Sequence, residues 1–140
     1  MFYLDTSLLV AAFTHEATTD RALAWLMRRQ ADDLAISDWV TTEFAAALSV
    51  KLRMRQIDEE YRARAVARFA EMTASSVEIL PVTAADFKVA TRLASEHKHG
   101  LRAGDALHLA VASDKGATVC TLDKRLAAAG KALGMAAKLI

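Results

Sequence analysis

The sequence is poor in the residues that build covalent or thiolate frameworks. It has a single cysteine, Cys120, in 140 residues, which excludes an internal disulfide and any cysteine-based zinc site. Cys120 lies in an apolar run and reads as a small core residue. Pro81 is the only proline, and no repeat, linker or low-complexity tract interrupts the chain. No apolar run approaches the ~20 residues that a helix needs to cross a bilayer. No positively charged segment precedes the first apolar run, so a signal peptide is not expected, and the fold is expected to begin at residue 2 without a tail. These absences predict a cytoplasmic protein with no membrane partner. A charge excess is missing too: 18 Lys and Arg face 17 Asp and Glu, a formal net charge of +1. Bulk attraction to nucleic acid therefore explains nothing here, and only local basic patches remain.

What is present is a soluble globular composition, 54% apolar and 25% charged. The length suits one domain, residues 1–140, with a sizeable core. The chain is organised around its first stretch, MFYLDTSLLVAAF. Phe2, Tyr3 and Leu4 form a strand-prone run with no polar face, as in the buried centre of a parallel sheet. Thr6 or Ser7 opens the following helix. Asp5 thus ends a central strand, where open α/β sheets place their ligands. It is also placed to cap that helix, and this stretch alone does not separate the two roles.

The remainder alternates helix and strand. Thr18 or Thr19 can cap a helix to about Arg29, and Leu34 to Ile36 reads as a second strand. Ser37 or Asp38 caps a helix from Trp39 to Arg53 with an apolar stripe of Val40, Phe44, Ala47, Leu48 and Leu52; Glu43 borders that stripe. A helix follows Asp58 to about Ala74, then a strand from Val77 to Leu80. Thr83 and Asp86 make a capping pattern for a helix ending near His97. Ala103 to Ser113 is apolar almost all round and so is buried on most sides, with Asp105 in its first turn. Ala117 to Thr121 is a further strand with Asp123 just beyond it. A short helix from Lys124 to Leu133 and an edge strand within Ala136 to Ile140 complete the chain. The fold class is α/β, three layers around a mostly parallel sheet of four or five strands.

Four acids then stand out. In a parallel sheet, strand carboxyl ends and the N-termini of following helices share one edge. Asp5, Asp105 and Asp123 should converge there, and Glu43 can join from the helix after the second strand. Two like charges ~4 Å apart repel by roughly 4 kcal/mol at an effective dielectric of about 20. Such a group needs protons, arginines or a divalent cation. With no histidine or cysteine cluster, an all-oxygen site favours Mg²⁺ or Mn²⁺, ions suited to phosphate chemistry. Each acid also has a plain role: Asp5, Asp105 and Asp123 sit at helix starts, where capping is common, and Glu43 can be a surface acid.

The motifs YLDTSLLVA (Tyr3 to Ala11), SDWVTTEFAAAL (Ser37 to Leu48), GDALHLAVA (Gly104 to Ala112) and TLDKRLA (Thr121 to Ala127) occur in order along the whole chain. In this the sequence resembles the PIN domains, most closely the VapC toxins of bacterial toxin–antitoxin pairs. The resemblance implies a PIN fold and a Mg²⁺- or Mn²⁺-dependent endoribonuclease. Its products would carry 5′-phosphate and 3′-hydroxyl ends. It assigns the acidic site to Asp5, Glu43, Asp105 and Asp123. Asp5 and Asp105 are the main metal ligands, while Glu43 and Asp123 bind a second ion, hold waters or act as a base. Thr6 is assigned to hold the first aspartate, and Thr121 is the hydroxyl preceding the last. It also implies a homodimer and a small VapB-like antitoxin that reaches into the acidic groove, often with an arginine in the place of the metal. One rival is a non-catalytic PIN-like module that binds nucleic acid or protein. A second, an aspartyl phosphatase, is disfavoured because Ser7 stands where that pattern needs its second aspartate.

Other polar residues read more plainly. His97 and His99 form a solvent-facing pair without a third ligand, and His108 has a hydrogen-bonded structural role or touches the phosphate. Lys51, Arg53, Arg55, Arg62, Arg64 and Arg68 make a solvated face, or else a patch for RNA backbone or antitoxin. Trp25, Trp39 and Phe69 are core or dimer contacts.

Overall fold

Tyr3 and Leu4 are consecutive strand residues, so their side chains point to opposite faces of the sheet. Both are fully buried, which means that both faces are covered. This is the arrangement the apolar first strand calls for, and it places that strand at the centre. The computed structural model describes residues 1–140. It contains β1 (Phe2–Leu4), α1 (Thr6–Phe13), α2 (Thr19–Leu26), β2 (Leu34–Ser37), α3 (Asp38–Arg53) and α4 (Glu59–Ser75). These are followed by β3 (Glu78–Leu80), α5 (Ala84–Ser95), α6 (Ala103–Asp114), β4 (Thr118–Thr121), α7 (Lys124–Ala132) and β5 (Ala137–Leu139). The sheet runs β3-β2-β1-β4-β5 with every pair parallel. The α/β class is as expected, with five strands and no antiparallel member.

The strand order decides where a ligand can sit. From β1 the chain moves outward to β2 and β3, then returns through α5 and α6 to β4 on the other side of β1. The carboxyl ends of β1 and β4 therefore flank the topological switch point, the usual binding crevice of an open parallel sheet. Asp5 and Asp123 follow those two strands.

The core behind this crevice is aromatic where α1, α3 and α4 meet. Phe44 stacks on Phe69 at 4.2 Å, and Phe13 meets both edge-on at 6.0 and 6.1 Å. Residues Ala106 to Ala112 of α6 are buried without a break, as its apolar composition predicts. No helix is long and apolar enough to cross a membrane.

Some local expectations shift. Helix α2 stops at Leu26 rather than Arg29 because the backbone tightens to three-residue turns, Arg28 to Trp25 and Arg29 to Leu26. The Arg29 guanidinium then lies over the Trp25 and Phe2 rings, at 4.6 and 5.0 Å. Neither threonine caps α2: the Thr19 hydroxyl sits 2.8 Å from the carbonyls of Ala11 and Thr14, tying down the end of α1. Helix α5 ends at Ser95, and His97–His99 form one 3₁₀ turn. Half of the basic cluster is paired with acids, Lys51 with Glu16, Arg62 with Glu59 and Arg64 with Glu60.

Candidate active site

Asp5 is the hinge between β1 and α1, in extended conformation, and only 5% exposed. Burial of a carboxylate requires partners, and the sequence supplies hydroxyls. Its Oδ2 accepts hydrogen bonds from the Thr121 hydroxyl at 2.7 Å, the Ser7 hydroxyl and the Ser7 backbone N–H. Those hydroxyls are fixed in turn: Thr121 Oγ1 accepts from the Asp123 N–H at 2.9 Å, and Ser7 Oγ from the Leu122 N–H at 3.0 Å. One oxygen of Asp5 is therefore locked to β4 and α1. The other, Oδ1, faces His108 Nε2 at 3.2 Å.

Glu43 comes from the second turn of α3. Its Oε2 accepts from the Thr6 hydroxyl at 2.5 Å and lies 2.8 Å from His108 Nε2. Burial pushes this carboxyl up, but His108, Thr6 and the Trp39 indole together outweigh it and hold the group below its ordinary pKa. The opposing surface is Gly104, in the first turn of α6. A Cβ there would stand 2.7 Å from Glu43 Oε1, so a larger residue would push the Glu43 carboxylate from this position.

His108 is 1% exposed. Its Nδ1 is 3.0 Å from the Tyr3 hydroxyl, which is 2.6 Å from the Ser37 hydroxyl. Burial drives the Tyr3 phenol far above its ordinary pKa, so it remains protonated. Asp105 occupies the first turn of α6, and its carboxylate accepts from the Arg102 N–H at 3.2 Å. Its pKa is raised chiefly by burial, with smaller contributions from the charges of Asp123 and Asp5, against the lowering effect of the Arg102 bond. Asp123 caps α7, accepting from the N–H groups of Arg125 and Leu126 at 2.7 and 3.3 Å.

The structure thus draws Asp5, Glu43 and His108 together, with candidate ligand atoms all within 4.8 Å of one another. Asp105 and Asp123 make no hydrogen bond to them. Each instead bonds the start of its own helix. The helix-start role foreseen for Asp5, Asp105 and Asp123 is present in all three. Two assignments change. Thr6 holds Glu43 rather than the first aspartate, and Ser7 takes the place foreseen for Thr6. His108, read as a hydrogen-bonded residue, has those bonds at the centre of the site. The only signal for it in the sequence is a polar residue inside an otherwise apolar helix, one turn after Asp105.

Two carboxylates, Asp5 and Glu43, with ligand atoms this close together make a donor set that fits a hard divalent cation. A family model described as the PIN domain matches residues 2–132. The chain belongs to the PIN-domain family. Solved structures share the fold of this PIN domain. FitAcB from Neisseria gonorrhoeae is 20% identical, with 94% of each chain covered and a TM-score of 0.72. VapC20 of Mycobacterium tuberculosis, a sarcin–ricin loop cleaving toxin, is 22% identical over 93% of this chain and 95% of its own, with a TM-score of 0.73. VapBC-5 of the same organism, a member of the VapBC family of toxin–antitoxin systems, is 23% identical over 99% and 95%, with a TM-score of 0.58. No protein of curated function matches the chain.

Proposed function

We propose that this PIN domain is a Mg²⁺- or Mn²⁺-dependent endoribonuclease, a VapC-type toxin neutralised by a VapB-like antitoxin. One observation carries the reading: at the switch point of a parallel sheet, ligand atoms of the buried Asp5, the half-buried Glu43 and His108 lie within 4.8 Å of one another. Asp5, Asp105 and Asp123 would hold the ion, and Glu43 completes the catalytic group. The ion supplies an acidified water and counter-charge for the phosphate oxygens. The protein's own part is placement. Thr121 and Ser7 pin one oxygen of Asp5 and leave the other facing the rim. Thr6 and His108 pin one oxygen of Glu43 and keep the group anionic. An anionic Glu43 can orient water or accept its proton. The antitoxin fits the same chemistry, since an arginine can satisfy the carboxylates in place of the ion. The toxin–antitoxin relatives support that partner, and the RNA-cleaving VapC20 supports the substrate class.

The test is cleavage of RNA and of small phosphate esters by wild type and Asp5→Ala, with Mg²⁺ or Mn²⁺ and with EDTA. RNA cleavage that needs the ion and Asp5, with esters left intact, is the expected result. Cleavage of esters but not RNA indicates a phosphatase. RNA binding unaffected by Asp5→Ala, without cleavage under any condition, indicates a non-catalytic module.

A further inference from the structure

His108 lies in the interior of α6, between the buried residues Leu107 and Leu109. A polar ring there must have its nitrogens satisfied. On one side Nε2 meets two carboxylate oxygens, Glu43 Oε2 at 2.8 Å and Asp5 Oδ1 at 3.2 Å. An ionised carboxylate only accepts. A bare nitrogen at Nε2 would bring three electron-rich atoms together without a proton among them, so Nε2 carries a hydrogen and donates it. On the other side Nδ1 meets the Tyr3 hydroxyl, itself bonded to Ser37. Hydroxyls can donate or accept, so the Tyr3–Ser37 pair completes the ring's bonding in either of the forms with Nε2–H. The result is one continuous path, Ser37–Tyr3–His108–Glu43–Thr6, joining β2, β1, α6, α3 and α1.

We propose that His108 is a positioning residue: its Nε2–H spans the Asp5 and Glu43 carboxylates and presets their spacing for the ion without ligating it. The proposal rests on the reading of this rim as the Mg²⁺ or Mn²⁺ site of a nuclease. A ligating imidazole needs a free lone pair, and the lone pair at Nε2 is occupied by its proton. His108 therefore belongs to the shell that orients ligands, where losing a partner costs about 10- to 100-fold in metal affinity. Without it Glu43 keeps the Thr6 hydroxyl and the neighbouring Trp39 indole but loses its link to Asp5, and the two carboxylates repel.

The experiment measures Mn²⁺ binding by calorimetry to the whole protein and to three variants, with circular dichroism melts to verify folding. His108→Gln keeps an N–H donor on a side chain of similar reach and should bind within a few-fold of wild type. His108→Leu should bind about 10- to 100-fold more weakly while folded. Tyr3→Phe, which leaves Nε2–H but releases Nδ1, should fall between them. In the metal-free wild type, ¹⁵N NMR of the imidazole should show a proton on Nε2, a readout that survives if the Leu variant fails to fold. Wild-type affinity in folded His108→Leu, or an unprotonated Nε2, overturns the proposal. Loss of Mn²⁺ binding in His108→Gln as severe as in His108→Leu overturns it too, because it makes the ring a ligand. Failure of wild type to bind either Mn²⁺ or Mg²⁺ removes the nuclease reading itself and the positioning role with it.

Discussion

Asp5 combines deep burial with hydroxyl and amide donors on one oxygen, so its other oxygen is aimed at the rim. Asp5→Asn should lower RNA cleavage by roughly 100-fold or more, since the carboxylate contributes several kcal/mol of charge stabilisation through the ion; single-turnover rates at saturating Mg²⁺ measure this. Glu43 and Asp105 titrate in opposite senses. Glu43 is held below its ordinary value, so its contribution to stability is present above the unfolded carboxyl pKa and is lost as pH falls through the lower folded value. Asp105 is raised, so its ionised form weakens the metal-free fold at neutral pH, and protonation on acidification relieves that cost. Asp105→Asn should therefore stabilise the metal-free protein at neutral pH by under about 1 kcal/mol, because the group is partly solvated. The difference should vanish in acid and reverse when Mg²⁺ is added, as melts in EDTA and in Mg²⁺ would show. The aspartates were legible because each sits beside a local boundary, a strand end or a helix start. His108 was not, because its partners lie 65 and 105 residues away, and no local pattern encodes such a distance.

At the scale of elements, the close approach of α3 and α6 makes the site. Gly104→Ala should raise intrinsic helix propensity by up to ~1 kcal/mol yet displace the Glu43 carboxylate, which a Cβ would overlap. The expected outcome is a cleavage rate reduced about tenfold, with the melting temperature changed little; a tenfold loss corresponds to ~1.4 kcal/mol. Behind the site, Phe44 and Phe69 stack between α3 and α4. Phe44→Ala should cost about 3–5 kcal/mol, measured by urea unfolding, and should loosen Glu43, which precedes Phe44 on the same helix. The helices and strands themselves were readable from apolar spacing and caps. The end of α2 was not, because its last turn is tightened where the Arg29 guanidinium lies over Phe2 of β1.

For the molecule as a whole, an acid rim that fits a cation predicts coupling between ion binding and folding. Mn²⁺ at 100 times its Kd should stabilise the protein by about 2.7 kcal/mol, and EDTA should reverse the rise in melting temperature. A homodimer is the further expectation, supported by an apolar groove of about 370 Å³ lined by Trp39, Phe87, Ala90 and Leu107, with Phe87 55% exposed. Sedimentation of wild type and Phe87→Asp tests it: the variant should shift toward monomer. The sequence by itself determined the α/β class, the central first strand, the order of elements and the acids at their boundaries, because these follow from hydrophobic periodicity and short-range capping. Only the tertiary structure decided that β4 pairs with β1, that Ser7 and Thr121 share the grip on Asp5, and that His108 joins Asp5 to Glu43. Those outcomes depend on which distant segments are packed together, and contacts between segments far apart in the chain leave no period in the sequence.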